Sequence, residues 1–149
     1  LLVAVENGHE EVVRRLVEQG TDCNAGAKTG KTPLCVAAEQ GKTNILRILL
    51  DHNAVVDLSD AVLWTPLIHA AAGWHLDAEQ LLIERKANVN ALSRYDRTAL
   101  HHTASTGQLH TAQVLLDSGA EIDLADVNGR TPLWVACDAE KEELIWLLG

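Results

Sequence analysis

The sequence predicts an all-α solenoid, in which short helices pair, the pairs stack, and a loop projects between one pair and the next. Two observations predict it. The first is a triplet that recurs at a spacing of 33 residues, as Thr32-Pro33-Leu34, Thr65-Pro66-Leu67, Thr98-Ala99-Leu100 and Thr131-Pro132-Leu133. Self-similarity at a fixed period of this size marks a repeat architecture. The second is the kind of apolar residue available. The chain has no Phe, no Met and one Tyr among 149 residues. Leu, Val, Ile and Ala must therefore fill the interior, and such side chains suit closely packed short helices.

Each column of the repeat has a physical reason. Thr followed by Pro is a helix start, because the hydroxyl caps unpaired N–H groups and Pro fits the first turn. Small residues follow at Ala37-Ala38, Ala70-Ala71, Thr103-Ala104 and Ala136-Cys137, and they let neighbouring helices approach. Gly41 and Gly107 stand where the first helix ends and a left-handed residue is wanted. Ile45, Leu46, Leu49 and Leu50 lie at helical spacing and form a buried stripe on the second helix. Leu82-Ile83 and Leu115-Leu116 continue that column. Asn53-Ala54, Lys86-Ala87 and Gly119-Ala120 close the second helix, and Asp126-Val127-Asn128-Gly129 reads as a turn. The frame extends backwards through Gly8-His9, Leu16-Val17, Gly20 and Asn24. One domain is predicted over residues 1–149, with repeats at about 1–31, 32–64, 65–97, 98–130 and 131–149, the outer two incomplete.

The pattern resembles the ankyrin repeat family over essentially the whole chain. The resemblance implies β-hairpin-like loops, or fingers, set roughly at right angles to the helices, and a curved stack with a concave groove lined by fingers and first helices. It also implies that His101, in Thr98-Ala99-Leu100-His101, bonds within its own turn, and that Asn90 falls where some members are hydroxylated, although a finger-closing structural Asn is the simpler reading. The departures are specific. Trp74 and Glu140 replace the Gly that ends the first helix. Leu63 and Asp96 replace the finger Gly kept at Gly30 and Gly129, so the middle fingers are expected to differ in shape.

Composition excludes several functions. The formal net charge of -9 argues against general attraction to nucleic acid or anionic membranes. No apolar run is long enough to span a bilayer. The three cysteines, Cys23, Cys35 and Cys137, lack metal-motif spacing and are read as buried free thiols, which fits a reducing compartment, the cytoplasm or nucleus. No nucleophile elbow, zinc-protease helix or phosphate-binding loop is present, so no enzyme, cofactor or metal is expected. His69 and His102 share a column, but no third ligand joins them. The ends are apolar, at Leu1, Leu2 and Val3 and at Ile145, Trp146, Leu147 and Leu148. They predict that further repeats or domains of a longer parent chain continue the array, or that something covers it.

The function expected is binding of another protein or extended peptide on the finger and first-helix face, with a structural spacer or regulatory segment as the alternative. Function should sit where the fold does not dictate the residue. The candidates are Lys28, Thr29 and Lys31 in the second finger, Val62 and Trp64 in the third, Arg94, Tyr95 and Arg97 in the fourth, and Asn128 and Arg130 in the fifth. Trp74 at a helix turn joins them. Lys31, Trp64, Arg97 and Arg130 share the column before the Thr. Arg, Trp and Tyr are enriched at binding hot spots. The column either grips an acidic partner with apolar anchors, or its arginines pair with loop carboxylates such as Asp96 and Asp126. The run Ala61-Val62-Leu63-Trp64 is either an exposed anchor or folds back onto the first helices. Charge reversal at Arg94, Arg97 and Arg130 is expected to abolish binding with little change in melting temperature.

Overall fold

The computed structural model describes residues 1–28 and 30–149; Thr29 lies outside the described residues. Among them the chain forms ten helices and no strand. They are α1 (Leu2–Glu6), α2 (Glu10–Glu18), α3 (Pro33–Glu39), α4 (Thr43–Asp51), α5 (Pro66–Ala72), α6 (Leu76–Glu84), α7 (Ala99–Thr106), α8 (Leu109–Asp117), α9 (Pro132–Asp138) and α10 (Glu142–Leu148). The odd-numbered helices stack on one another as one row and the even-numbered helices as a second. Each helix is too short to be stable alone in water, so burial between the rows holds it.

That burial follows the repeat columns. Leu34, Leu67 and Leu100, the third residues of three triplets, are buried, as are Leu46, Leu49, Leu82 and Leu115 of the second row. Each contributes about 1.5–3 kcal/mol by leaving water. Ala37, Ala38, Ala70, Ala71 and Ala104 are sealed between odd-numbered helices. Cys23 and Cys35 are buried free thiols, but Cys137 is exposed, contrary to the expectation that all three are buried. Ala38, Ala71 and Ala104 of its column are buried on helices that each pack against a following odd-numbered helix, and among the described residues none follows α9.

The helix starts match their sequence signals. Thr32 Oγ1 accepts the Cys35 N–H at 3.1 Å, Thr65 Oγ1 accepts that of Ile68 at 3.3 Å, and Thr131 Oγ1 accepts that of Trp134 at 3.3 Å. At α7 the cap is a reciprocal box with His101: the Thr98 side chain faces the His101 backbone N–H, and the Thr98 N–H donates to His101 Nδ1 at 3.2 Å. The proton of this imidazole therefore sits on Nε2, which donates to the Arg130 carbonyl at 3.0 Å. His101 thus ties its own turn to the next finger.

The fingers share one backbone. In each, a residue's N–H and carbonyl close a turn: Ala27 with Lys31 and Gly30, Asp60 with Trp64 and Leu63, Ser93 with Arg97 and Asp96, Asp126 with Arg130 and Gly129, all within 3.0 Å. Leu63 (φ 62) and Asp96 (φ 54) adopt the left-handed conformation of Gly30 (φ 78) and Gly129 (φ 74). The expected odd shape of the middle fingers is therefore corrected: the side chain changes and the backbone does not. A Cβ at Gly30 would sit 2.7 Å from the Ala61 nitrogen, so that finger also needs Gly for close approach.

The same holds at the end of the first helix, where Trp74 (φ 64) and Glu140 (φ 54) stand in line with Gly8, Gly41 and Gly107. Left-handed backbone strains a residue with a side chain. Glu140→Gly is expected to raise stability by about 0.5–1 kcal/mol in urea unfolding, since relief of strain exceeds the added freedom of the unfolded chain. A loss of stability would show that the Glu140 side chain holds this turn.

Candidate partner-binding groove

The fingers project from the N-terminal ends of the odd-numbered helices and are tied to one another. The Arg94 N–H donates to the Val62 carbonyl and the Val127 N–H to the Tyr95 carbonyl, each at 3.1 Å. Arg94 Nη2 also donates to the Ala61 carbonyl at 2.8 Å. The third, fourth and fifth fingers thus form a continuous edge. Between it and the first helices lies a hollow of about 430 Å³, lined by Val62, Trp64, Ser93, Tyr95, Arg97, His102, Asn128 and Arg130.

Its floor is aromatic. Trp64 folds back, half-buried, with its ring edge-on to His69 at 5.2 Å and to His102 at 4.8 Å between centroids. His69 Nε2 lies 3.0 Å from Asp60 Oδ2. Burial pushes the His69 pKa down despite that carboxylate, so the neutral ring donates to Asp60. Asp60 Oδ1 accepts the Val62 and Trp64 N–H groups, each at 3.0 Å. One carboxylate therefore shapes the third finger and seats the imidazole against Trp64. Burial, with Arg97 nearby, pushes His102 down to about 4. Its Nε2 is buried with no hydrogen-bond partner among the described residues.

Its far wall is ionic. The Asp126 side chain is fully buried, and Oδ1 accepts the Asn128 N–H at 2.9 Å and the Arg130 N–H at 3.1 Å. Oδ2 meets Arg97 Nε at 3.1 Å and Arg130 Nη2 at 3.0 Å. Burial alone would raise this carboxyl. The hydrogen bonds from Arg130, Asn128 and Arg97 outweigh it and hold Asp126 well below the usual carboxylate range. The Arg130 guanidinium carbon lies 5.3 Å from the Trp134 ring centre, a cation–π contact. Two guanidinium groups share one carboxylate.

A family model of ankyrin repeats, in three copies, matches residues 1–93 and 78–149. The chain belongs to the ankyrin repeat family. No curated protein matches the sequence. Ankyrin repeats are generally protein–protein interaction modules and are typically non-enzymatic.

In this ankyrin array the hollow brings together Val62, Trp64, Tyr95, Arg97, Asn128 and Arg130 of the sequence candidates. Arg94 lies beside it, engaged with the third finger. Lys28 is exposed in the second finger. Lys31 Nζ is held by Glu39, at 2.7 and 2.8 Å from its two carboxylate oxygens. Trp74 is 60% exposed and lines a different hollow, with Gly41, Thr43 and His75 at the α5–α6 turn. The alternatives for the third finger divide: Val62 and Leu63 are exposed and Trp64 folds back. The arginine column pairs with Asp126, so near-constant stability on charge reversal is not expected from this geometry. Ser93 and His102 were not among the candidates. Ser93 shares the first finger position with Asp60 and Asp126, which was the available signal. Asn90 Oδ1 accepts the Glu121 N–H at 2.8 Å and its amide donates to the Gly119 carbonyl at 3.2 Å, a loop-closing role.

Proposed function

We propose that this array binds a partner protein, or an extended segment of one, along the fingers and the first helices. The observation that carries the reading is the hollow between the third, fourth and fifth fingers, floored by Trp64 and His102, with exposed apolar side chains at it and on the same fingers. Val62 and Tyr95, which line it, are 41% and 61% exposed, and Leu63 and Val127, elsewhere on the third and fifth fingers, are 50% and 55% exposed. Clustered exposed apolar side chains of this size mark an interaction surface. A partner of net acidic character suits the arginines at the far wall. The buried thiols of Cys23 and Cys35 fit a compartment that keeps cysteines reduced, the cytoplasm or nucleus. Further repeats or domains of a longer parent chain would extend the surface.

The test is capture from cell lysate with the 149-residue chain and with a Val62→Glu, Tyr95→Glu variant. Both positions are exposed, so the variant is expected to unfold at the wild-type temperature by circular dichroism. A protein retained by the wild type and lost with the variant supports the groove. A protein retained equally by both places binding elsewhere and overturns it. Nothing retained by either would favour a spacer.

A further inference from the structure

We propose that the groove recognises a two-point signature in an extended partner segment: a large apolar side chain that enters the hollow, and an Asp or Glu two residues away whose carboxylate is gripped by Arg97 and Arg130. The inference rests on the groove being the binding face and adds what it selects.

The carboxylate follows from a local charge excess. In a chain of net charge -9, Arg97 and Arg130 meet at the hollow and share only Asp126. Arg97 uses Nε on Asp126, and its two Nη groups make no hydrogen bond among the described residues. A guanidinium with one edge occupied still offers donors to a second carboxylate. Asp96, the other acid of the fourth finger, does not line the hollow. Asp126 also fixes the direction of both arginines, so their order is established before a ligand arrives.

The apolar anchor follows from the floor. Val62 and Tyr95 are exposed beside the half-buried Trp64 ring, and together they offer apolar surface to a side chain that enters the hollow. The spacing follows from the chain. Alternate residues of an extended segment face the same way, so side chains meant for one groove lie two apart. Three fingers at helix-packing spacing span about 18 Å, or about five residues of extended chain. Such a segment passes across the fingers, which commits the carboxylate to a side chain within the segment rather than to a chain terminus.

The experiment is selection of displayed random dodecapeptides on the 149-residue chain, with the Val62→Glu, Tyr95→Glu variant in parallel. Enriched peptides are expected to carry a large apolar residue and an acid two positions apart, and to be lost on the variant. Synthetic copies with the acid changed to its amide are expected to bind at least tenfold more weakly, by isothermal titration. Arg97→Lys keeps a cation beside Asp126 but removes the planar Nη edge that can take a second carboxylate with two parallel hydrogen bonds. It is expected to weaken the acidic peptide at least fivefold and its amide counterpart less than twofold. Groove-dependent peptides without the acid, or with no fixed spacing, would overturn the inference and leave the groove intact. Peptides that bind only with a free terminal carboxylate would overturn it too. Peptides indifferent to the Val62→Glu, Tyr95→Glu variant, or no enrichment at all, would overturn the groove itself.

Discussion

Glu79→Gln is expected to be more stable than the wild type, by a margin that widens by about 2–3 kcal/mol between pH 5 and pH 8. Glu79 stands on α6 in the column of Val13, Leu46 and Ala112, all buried, and it is itself fully buried. Its Oε1 has one weak partner, the Thr111 hydroxyl at 3.4 Å, and its Oε2 has none among the described residues. Among the described residues no cation bonds to it. Removing an ionised carboxylate from water without a partner is costly, so the group keeps its proton instead. Burial raises its pKa from 4.5 to about 7, and the Thr111 hydrogen bond only partly opposes this.

The direction follows from proton linkage. Between pH 4.5 and about 7 the folded chain holds a proton that the unfolded chain has released. Stability therefore falls as pH rises through that window. Below it both states are protonated and the group contributes nothing. Gln keeps the shape and cannot ionise, so the variant escapes the loss. Burial lowers His69, His101 and His102, which act in the opposite sense: their stability is present above pH 6.5 and is lost as pH falls. Both proteins share those residues, so the difference isolates Glu79. Urea unfolding at pH 5, 6, 7 and 8 measures it. A constant difference across the range would sink the argument.

Glu79 also illustrates what the sequence does and does not convey. The frame that buries Leu46 assigns its 33-residue successor to the same buried place, so the anomaly was legible as a carboxylate in an apolar column. The helix starts were legible for the same reason: Thr followed by Pro has one local meaning, and all three Thr hydroxyls that precede Pro accept the N–H three residues on. The αL positions were legible only where Gly marks them. At Leu63, Trp74, Asp96 and Glu140 the stack imposes the conformation against residue preference, and residue preference is all a sequence displays. Side-chain partners were the least legible. Whether Arg97 serves a ligand or the fold depends on a carboxylate 29 positions away, and only the stacking of fingers brings the two together.

That carboxylate makes the second large effect. Arg97→Glu with Arg130→Glu is expected to destabilise the chain by about 3–5 kcal/mol, because it strips both cations from a buried Asp126 and sets two further carboxylates beside it. Breaking one side of a buried ion pair costs far more than making the pair gained, since the remaining charge has no solvent to turn to. Arg94→Glu is the control. Its side chain is exposed and meets only the Ala61 carbonyl, so a change within about 0.5 kcal/mol is expected. The acid limb of the stability profile supplies an independent check. Asp126 is held below its unfolded value of 3.8, so its contribution is present above that pH and is lost as pH falls below it. Arg97→Gln with Arg130→Gln should flatten that limb, because the cations that hold the carboxyl down are gone. Equal stability of the double charge reversal and the wild type would mean that Asp126 finds other compensation. The consequence for function is direct. Loss of partner binding in an arginine reversal would report unfolding as readily as a lost contact, whereas Val62 and Tyr95, exposed on the rim, separate recognition from stability.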